Sequence, residues 1–228
     1  KGNNLIVVGL DGDSDREKVS NLLGKDVMFV RCDVTDPTQV SMAFGQICQH
    51  FGGIDILVSN AGAIFQGLMN DLELDVLRDS FELNFFSHHN VSQRAIKIMR
   101  DQRMGGVVLF NVSKQAVNPG HGMGPYGLPK AATLSLVRQL ALENGKFGIR
   151  VNAVNPDRIK GGLLTDEVIQ TRASARGVSG EEYMSGNLLR SEVYAADVAQ
   201  AFVQLAMLEK TTAAVTTVDG GNIEAALR

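Results

Sequence analysis

Cysteine is scarce in this chain: Cys32 and Cys48 are the only two in 228 residues. Cys32 falls in an apolar, strand-like run and Cys48 on a helical pattern. Two free thiols are therefore expected rather than a disulfide, as suits a reducing cytoplasm. Long hydrophobic runs are also missing; none approaches the roughly 20 residues that a membrane-spanning helix needs. No secretory signal is visible at the amino terminus. Neither sign of charge dominates. The formal net charge is -3, with acids and bases interleaved, so there is no basic run for nucleic acid and no acidic tail. The four histidines, His50, His88, His89 and His121, lack metal-ligand spacing and are expected at solvent or at an interface. The eight methionines are scattered and read as core filler. There are no internal repeats and no low-complexity segments. The first residue is Lys1 rather than Met, which leads to the expectation of an upstream segment, including an upstream domain of the same polypeptide.

What is present is an alternation of strand-like and helical segments over a single domain, residues 1–228, long enough to bury a core without metals or disulfides. Leu5–Leu10, Asp26–Cys32, Ile54–Ser59, Gly106–Val112, Ile149–Val154 and Ala213–Val218 read as strands. Helices are expected at Asp13–Leu23, from Asp36-Pro37 through Phe51, from Leu72 to about Arg100, from about Pro125 to Asn144, and at Ala196–Leu208. Asp36 caps the second of these and Pro37 fits its first turn. Val40, Phe44, Ile47 and Phe51 then fall on one face. The pattern predicts a Rossmann-type, doubly wound parallel sheet in three αβα layers. The stretch of about 157–190 is polar and carries glycines, and it reads as a mobile flap over a site.

Tyr126 and Lys130 stand four apart on a predicted helix and share a face. A neighbouring ammonium lowers the pKa of a phenol, so the pair can exchange a proton near neutrality. By themselves they equally describe a solvated helix pair. Ser113 follows a strand, at the end of the sheet where doubly wound folds bind ligands. Asn84 is a polar residue in an otherwise apolar turn of helix.

With these residues in place, the chain resembles the short-chain dehydrogenase/reductase family along almost its whole length. Cys32-Asp33-Val34-Thr35 matches the family's adenine-contacting turn, and Asn60-Ala61-Gly62 its motif after the central strand. Asn84, Ser113, Tyr126 and Lys130 match the catalytic tetrad; Asn152, Asn155 and Pro156 match the segment that meets the nicotinamide. The resemblance implies hydride transfer between a nicotinamide cofactor and a small alcohol or carbonyl. Tyr126 would be the acid–base group, Lys130 its partner and a ribose ligand, Ser113 the oxyanion donor, and Asn84 the anchor of a water. Asp33, Val34, Asn60, Ala61, Gly62, Pro156 and Ile159 would contact the cofactor, along with Tyr126 and Lys130. The resemblance also implies a homodimer or homotetramer built on the two long helices; Phe81, Phe85, Val91, Ile96, Leu134 and Leu140 supply apolar surface for it. A narrower similarity, in Ser113-Lys114-Gln115, Asn155-Pro156-Asp157, Gly177-Val178-Ser179 and the ending VDGGNIEAALR, is to the dehydrogenase half of bifunctional rhamnulose-phosphate aldolase/dehydrogenase proteins, which points to lactaldehyde-like substrates.

The chain departs from the family after the fifth strand, where Asp157 and Gly161 replace residues that are commonly Gly and Thr, and in two places earlier in the chain. The glycine-rich phosphate loop is absent: counted back from Asp33, Leu5–Leu10 takes the place of the family's second strand. The first strand and glycine-rich helix are thus missing from this chain, and that strand would be central in the order 3-2-1-4-5-6. Second, Gly9 stands where NAD-preferring members carry an acid for the adenosine ribose. Asp11 is the candidate replacement, and no Arg follows to favour NADP, so NAD is expected over NADP. The absent loop leaves a rival reading open: a cofactor-free or degenerate member serving as a binding or structural subunit.

Overall fold

The computed structural model describes residues 4–10, 17, 21, 27–161 and 163–222. The expected helix at Asp13–Leu23 and the candidate Asp11 lie outside the described residues, apart from positions 17 and 21. Strand β1 (Ile6–Gly9) pairs in parallel with β2 (Met28–Arg31). Strands β3 (Ile56–Ser59), β4 (Gly106–Asn111), β5 (Ile149–Pro156) and β6 (Val215–Val218) make a second parallel sheet in that order. Helices α1 (Pro37–Phe51), α2 (Leu74–Phe81), α3 (Ser87–Gln102), α4 (Gly124–Asn144), α5 (Asp166–Ser174), α6 (Gly180–Met184) and α7 (Ala195–Met207) connect and cover them.

The period-2 alternation of β4 sets the layers. Val108 and Phe110 point into the larger core, with Val91, Ala95 and Met99 of α3 and Leu134, Val137 and Ala141 of α4. Val107 and Leu109 point the other way, onto Val198, Ala201 and Leu205 of α7. Helices therefore cover both faces, as the alternating pattern predicts. Helix α1 begins as expected: the Asp36 carboxylate accepts from the backbone amides of Thr38 and Gln39, and Val40, Phe44 and Ile47 are buried. Among the described residues no helix is long and apolar enough to cross a membrane.

The two sheets do not join into one ladder. A cavity of about 950 Å³ lies between them, lined by Leu5, Ile6 and Val8 on one side and Ile56, Leu57, Val58 and Ser59 on the other. Leu5, Val8, Ile56 and Val58 are exposed, although they are strand residues of a type that normally lies inside. The slot falls where the family's central strand is expected. A parallel strand seated there would pair with β1 and β3 and cover these side chains, which is how such a sheet ordinarily disposes of its open edges.

Three expectations need correction. The 157–190 stretch is more than a polar flap: Leu164, Ile169, Ala173, Tyr183 and Met184 form a small buried core of its own between α5 and α6. Its apolar residues are spread over two short helices, so neither shows a convincing period alone. The proposed association face also changes. Val91, Ile96 and Leu134 are already buried in this chain's own core, whereas Phe86, Leu128 and Leu142 are the exposed apolar residues of that region. Lastly, the long helix from Leu72 is broken by a π-helical turn, Glu82–Phe86, which widens the helix at Asn84.

The turn from α3 into β4 depends on Gly105. Its φ of +76° lies in the left-handed region, and a Cβ there would stand 2.7 Å from the Gly148 carbonyl oxygen. Gly105→Ala should cost about 2 kcal/mol of unfolding free energy, from strain plus the clash. Urea unfolding followed by circular dichroism measures this, and a loss below about 0.5 kcal/mol would contradict the assignment.

Candidate active site

The carboxyl ends of β3, β4 and β5 bring the candidate residues together. Asn60, Ala61 and Gly62 follow β3, Ser113 follows β4, and Asn155 and Pro156 end β5. Helix α4 supplies Tyr126 and Lys130 from its first turns, with Pro125 at the start, where a missing amide is harmless. The π-helical turn supplies Asn84.

Lys130 is the centre of the arrangement. It is 2% exposed, and its ammonium donates to the Asn111 carbonyl oxygen at 3.2 Å and lies 3.2 Å from Nε2 of His88. Among the described residues it has no carboxylate within ion-pair distance. Burial pushes its pKa down to about 8. Gly62 packs directly against it. A Cβ on Gly62 would be 2.8 Å from Oδ1 of Asn84 and 3.3 Å from Nζ of Lys130, so only glycine fits.

Asn84 is fully buried, and its side chain clamps the loop after β3. Its Nδ2 donates to the Ala63 carbonyl at 2.9 Å and to Ser80 Oγ at 3.1 Å, and its Oδ1 accepts from the Ala63 amide at 3.2 Å. Its backbone carbonyl accepts from the Thr133 hydroxyl at 2.9 Å.

Tyr126 is buried, and the Lys130 ammonium sits 5.8 Å from its ring centroid. The expected lowering of its pKa is not realised. Burial pushes the phenol above its ordinary value, while the Ser113 hydroxyl and, less strongly, the Arg172 guanidinium of α5 pull it back. Desolvation is the largest of these influences and sets the direction of the shift. Ser113 also caps the 3-10 turn Lys114–Ala116, its hydroxyl accepting from the Gln115 amide at 3.3 Å.

The cofactor candidates divide between two regions. Asp33 Oδ1 accepts from the amide and hydroxyl of Thr35, at 2.9 and 2.7 Å, which fixes the turn through Val34. Asn60 Oδ1 accepts from Nδ2 of Asn111 at 2.7 Å, while Ala61 stays exposed beside it. Ile159 is tied by a parallel bridge to Val193 and packs on the α7 side of the sheet. Asp157 is drawn into a clasp instead. Its Oδ2 accepts from Asn222 at 2.6 Å and lies 3.4 Å from Lys114 Nζ and 3.6 Å from Arg158 Nε.

The sequence reading missed His88 and Ser59. His88, expected at solvent or an interface, is fully buried with both ring nitrogens engaged, and Ser59 beneath it is buried too. The signal available was its spacing: His88 stands four residues after Asn84, on the same side of the helix. Asn155 is 1% exposed, and among the described residues neither its side-chain oxygen nor its nitrogen has a hydrogen-bond partner. Among the described residues, no cluster of three or more His, Cys, Asp or Glu side chains could hold a metal ion.

Residues 1–222 match the family model described as enoyl-(acyl carrier protein) reductase. The chain is 32% identical over 233 residues to the uncharacterized oxidoreductase YuxG of Bacillus subtilis; the match covers 97% of this chain and spans only 34% of that protein's length. It is 30% identical over 202 residues to the L-rhamnose 1-dehydrogenase (NAD(P)(+)) of a Sphingomonas species, covering 87% of this chain and 77% of that one. The fold matches 3-ketoacyl-(acyl-carrier-protein) reductase from Brucella melitensis, solved with NADH, at a TM-score of 0.84 and 22% identity, over 95% of this chain and 86% of that one. Together with the ordered run of motifs from Asp33 to Pro156, these matches assign the chain to the short-chain dehydrogenase/reductase family of oxidoreductases.

Proposed function

We propose that the chain exchanges hydride between a nicotinamide cofactor, with NAD preferred, and a small alcohol or carbonyl, using Tyr126, Lys130, Ser113 and Asn84. The carrying observation is the buried Lys130 ammonium. It lies beside a buried phenol at the carboxyl end of a parallel sheet, and among the described residues no carboxylate neutralises it. Ribose hydroxyls are acceptors of the kind such an ammonium lacks. The glycine at position 62 leaves the backbone open against it, and the unpartnered amide of Asn155 suits a carboxamide group near β5. These features fit the nicotinamide-ribose end. Asp33, Val34, Asn60, Ala61, Pro156 and Ile159 border the path along which the rest of the cofactor would lie.

When bound, the nicotinamide supplies or accepts the hydride. Ser113 donates a hydrogen bond to the substrate oxygen and stabilises the charge that develops there. Tyr126 gives its hydroxyl proton to that oxygen during reduction and takes it back during oxidation. The Lys130 ammonium offsets the phenolate left behind. Asn84 holds the loop after β3 against Lys130. For the substrate, the similarity in Ser113-Lys114-Gln115 and the carboxyl-terminal run supports a lactaldehyde-like hydroxy-carbonyl.

The rival reading is a cofactor-free subunit, since these 228 residues hold no glycine-rich turn of the family's form between a strand and a helix to cradle a pyrophosphate. Losing two charge-assisted hydrogen bonds to the pyrophosphate removes roughly 3–6 kcal/mol, or about two to four orders of magnitude in affinity. Calorimetric titration of the 228-residue chain should thus find NADH binding at least about a hundredfold weaker than the low-micromolar range. Low-micromolar binding would show that Gly9–Asp15 cradles the phosphates. Undetectable binding even at millimolar NADH would favour the rival.

Tyr126→Phe should lower turnover by about a hundredfold or more with the fold intact, since only the acid–base hydroxyl is removed. A variant that keeps more than about a tenth of the activity refutes the role. The ammonium is the form that binds ribose, and it is lost as pH rises through about 8. Cofactor affinity measured before turnover should accordingly fall from pH 7 to pH 9; an affinity that rises over that range would contradict the assignment of Lys130.

A further inference from the structure

The Lys130 ammonium has two neighbours besides the tyrosine, and one of them belongs to no motif: His88. This histidine is fully buried on α3, its ring 5.9 Å from that of Phe110 on β4. Its Nε2 lies 3.2 Å from Nζ of Lys130 on α4, and its Nδ1 lies 2.6 Å from Oγ of Ser59 at the end of β3. Lys130 is the charged group acting on it among the described residues, and Ser59 and Phe110 face it from the sheet.

The donor inventory decides the tautomer. An ammonium can only donate, so Nε2 must present a lone pair to it. The ring proton then sits on Nδ1 and is donated to the Ser59 hydroxyl. Burial and the nearby ammonium keep the imidazole neutral throughout the working range. We propose that His88 is a positioning residue which, locked by Ser59 in the Nδ1-protonated form, holds the Lys130 ammonium from behind and keeps it charged. The inference rests on the reading of Lys130 as part of the acid–base site. Two acceptors, the His88 ring and the Asn111 carbonyl, thereby leave the third ammonium hydrogen for the reaction side. An apolar residue would fill the same volume yet leave the ammonium one acceptor short in a dry site, where a cation without partners tends to give up its proton.

The test reads Lys130 directly, by following its Cε resonance through a pH titration of the parent protein and the His88→Leu and His88→Gln variants. The parent midpoint should fall near 8. His88→Leu should lower it by about one pH unit, the shift that loss of one hydrogen bond to a charged group produces. His88→Gln, whose side-chain oxygen can stand in for Nε2, should bring it back to within about 0.3 unit of the parent. A midpoint that is unchanged or raised in His88→Leu overturns the proposal. So does a parent protein whose ring nitrogen shifts place the proton on Nε2 at neutral pH; that measurement stands even if a variant fails to fold. If instead the parent shows no nicotinamide-dependent turnover, the functional reading fails while the Lys130 titration still decides the role of His88.

Discussion

A lysine ammonium sealed inside the protein, with no carboxylate partner among the described residues, is the constraint to which the rest of the site answers. Moving its pKa from 10.5 to about 8 corresponds to roughly 3 kcal/mol against the charged form. Folding therefore becomes more favourable as pH rises from about 8 toward 10.5, because the unfolded chain holds the proton that the folded chain releases. A well-packed apolar side chain at position 130 would avoid this penalty. The surroundings moderate it instead: the Asn111 carbonyl, the His88 ring, and a glycine at 62 that lets backbone approach closely. Each comes from a different element, so the position of one nitrogen atom depends on β3, β4, α3 and α4 together.

The parallel sheet makes that convergence possible. Strands β3, β4, β5 and β6 are mutually parallel, so the loops after β3, β4 and β5 all open at one end. The π-helical turn is the local adjustment. One wide turn at Glu82–Phe86 sets Asn84 against the Ala63 backbone while α3 continues on to place His88 one turn further, beneath Lys130. The same sheet leaves the slot between β1 and β3, and that slot borders the site through Ser59, Asn60 and Ala61. The slot thus lies against the loop that carries Gly62.

Much of this was legible from the residues in order. Strand and helix positions follow from periodicity, and the cap at Asp36-Pro37 follows from two side chains acting within four residues. Tyr126, Lys130 and Ser113 were recognisable because their spacing is local or tied to a strand end. The small core beneath α5 and α6 was not, since Leu164 and Tyr183 meet only after the chain doubles back. The direction of the Tyr126 shift departs from the sequence expectation for a related reason: helical spacing indicates that a lysine is near, but not that burial outweighs it.

By itself the sequence determined the fold class, the strand and helix order, and the identity of the residues at the carboxyl end of the sheet. Those features depend on short-range periodicity and on residue type. Only the tertiary structure decided that Lys130 is enclosed, that His88 and Ser59 lie behind it, that Asn155 has no hydrogen-bond partner among the described residues, and that two sheets face each other across a slot. Each of these is a relation between residues about 30 to 50 or more positions apart, created when strands are laid side by side and water is excluded. A one-dimensional pattern carries no record of which side chains will share that dry space.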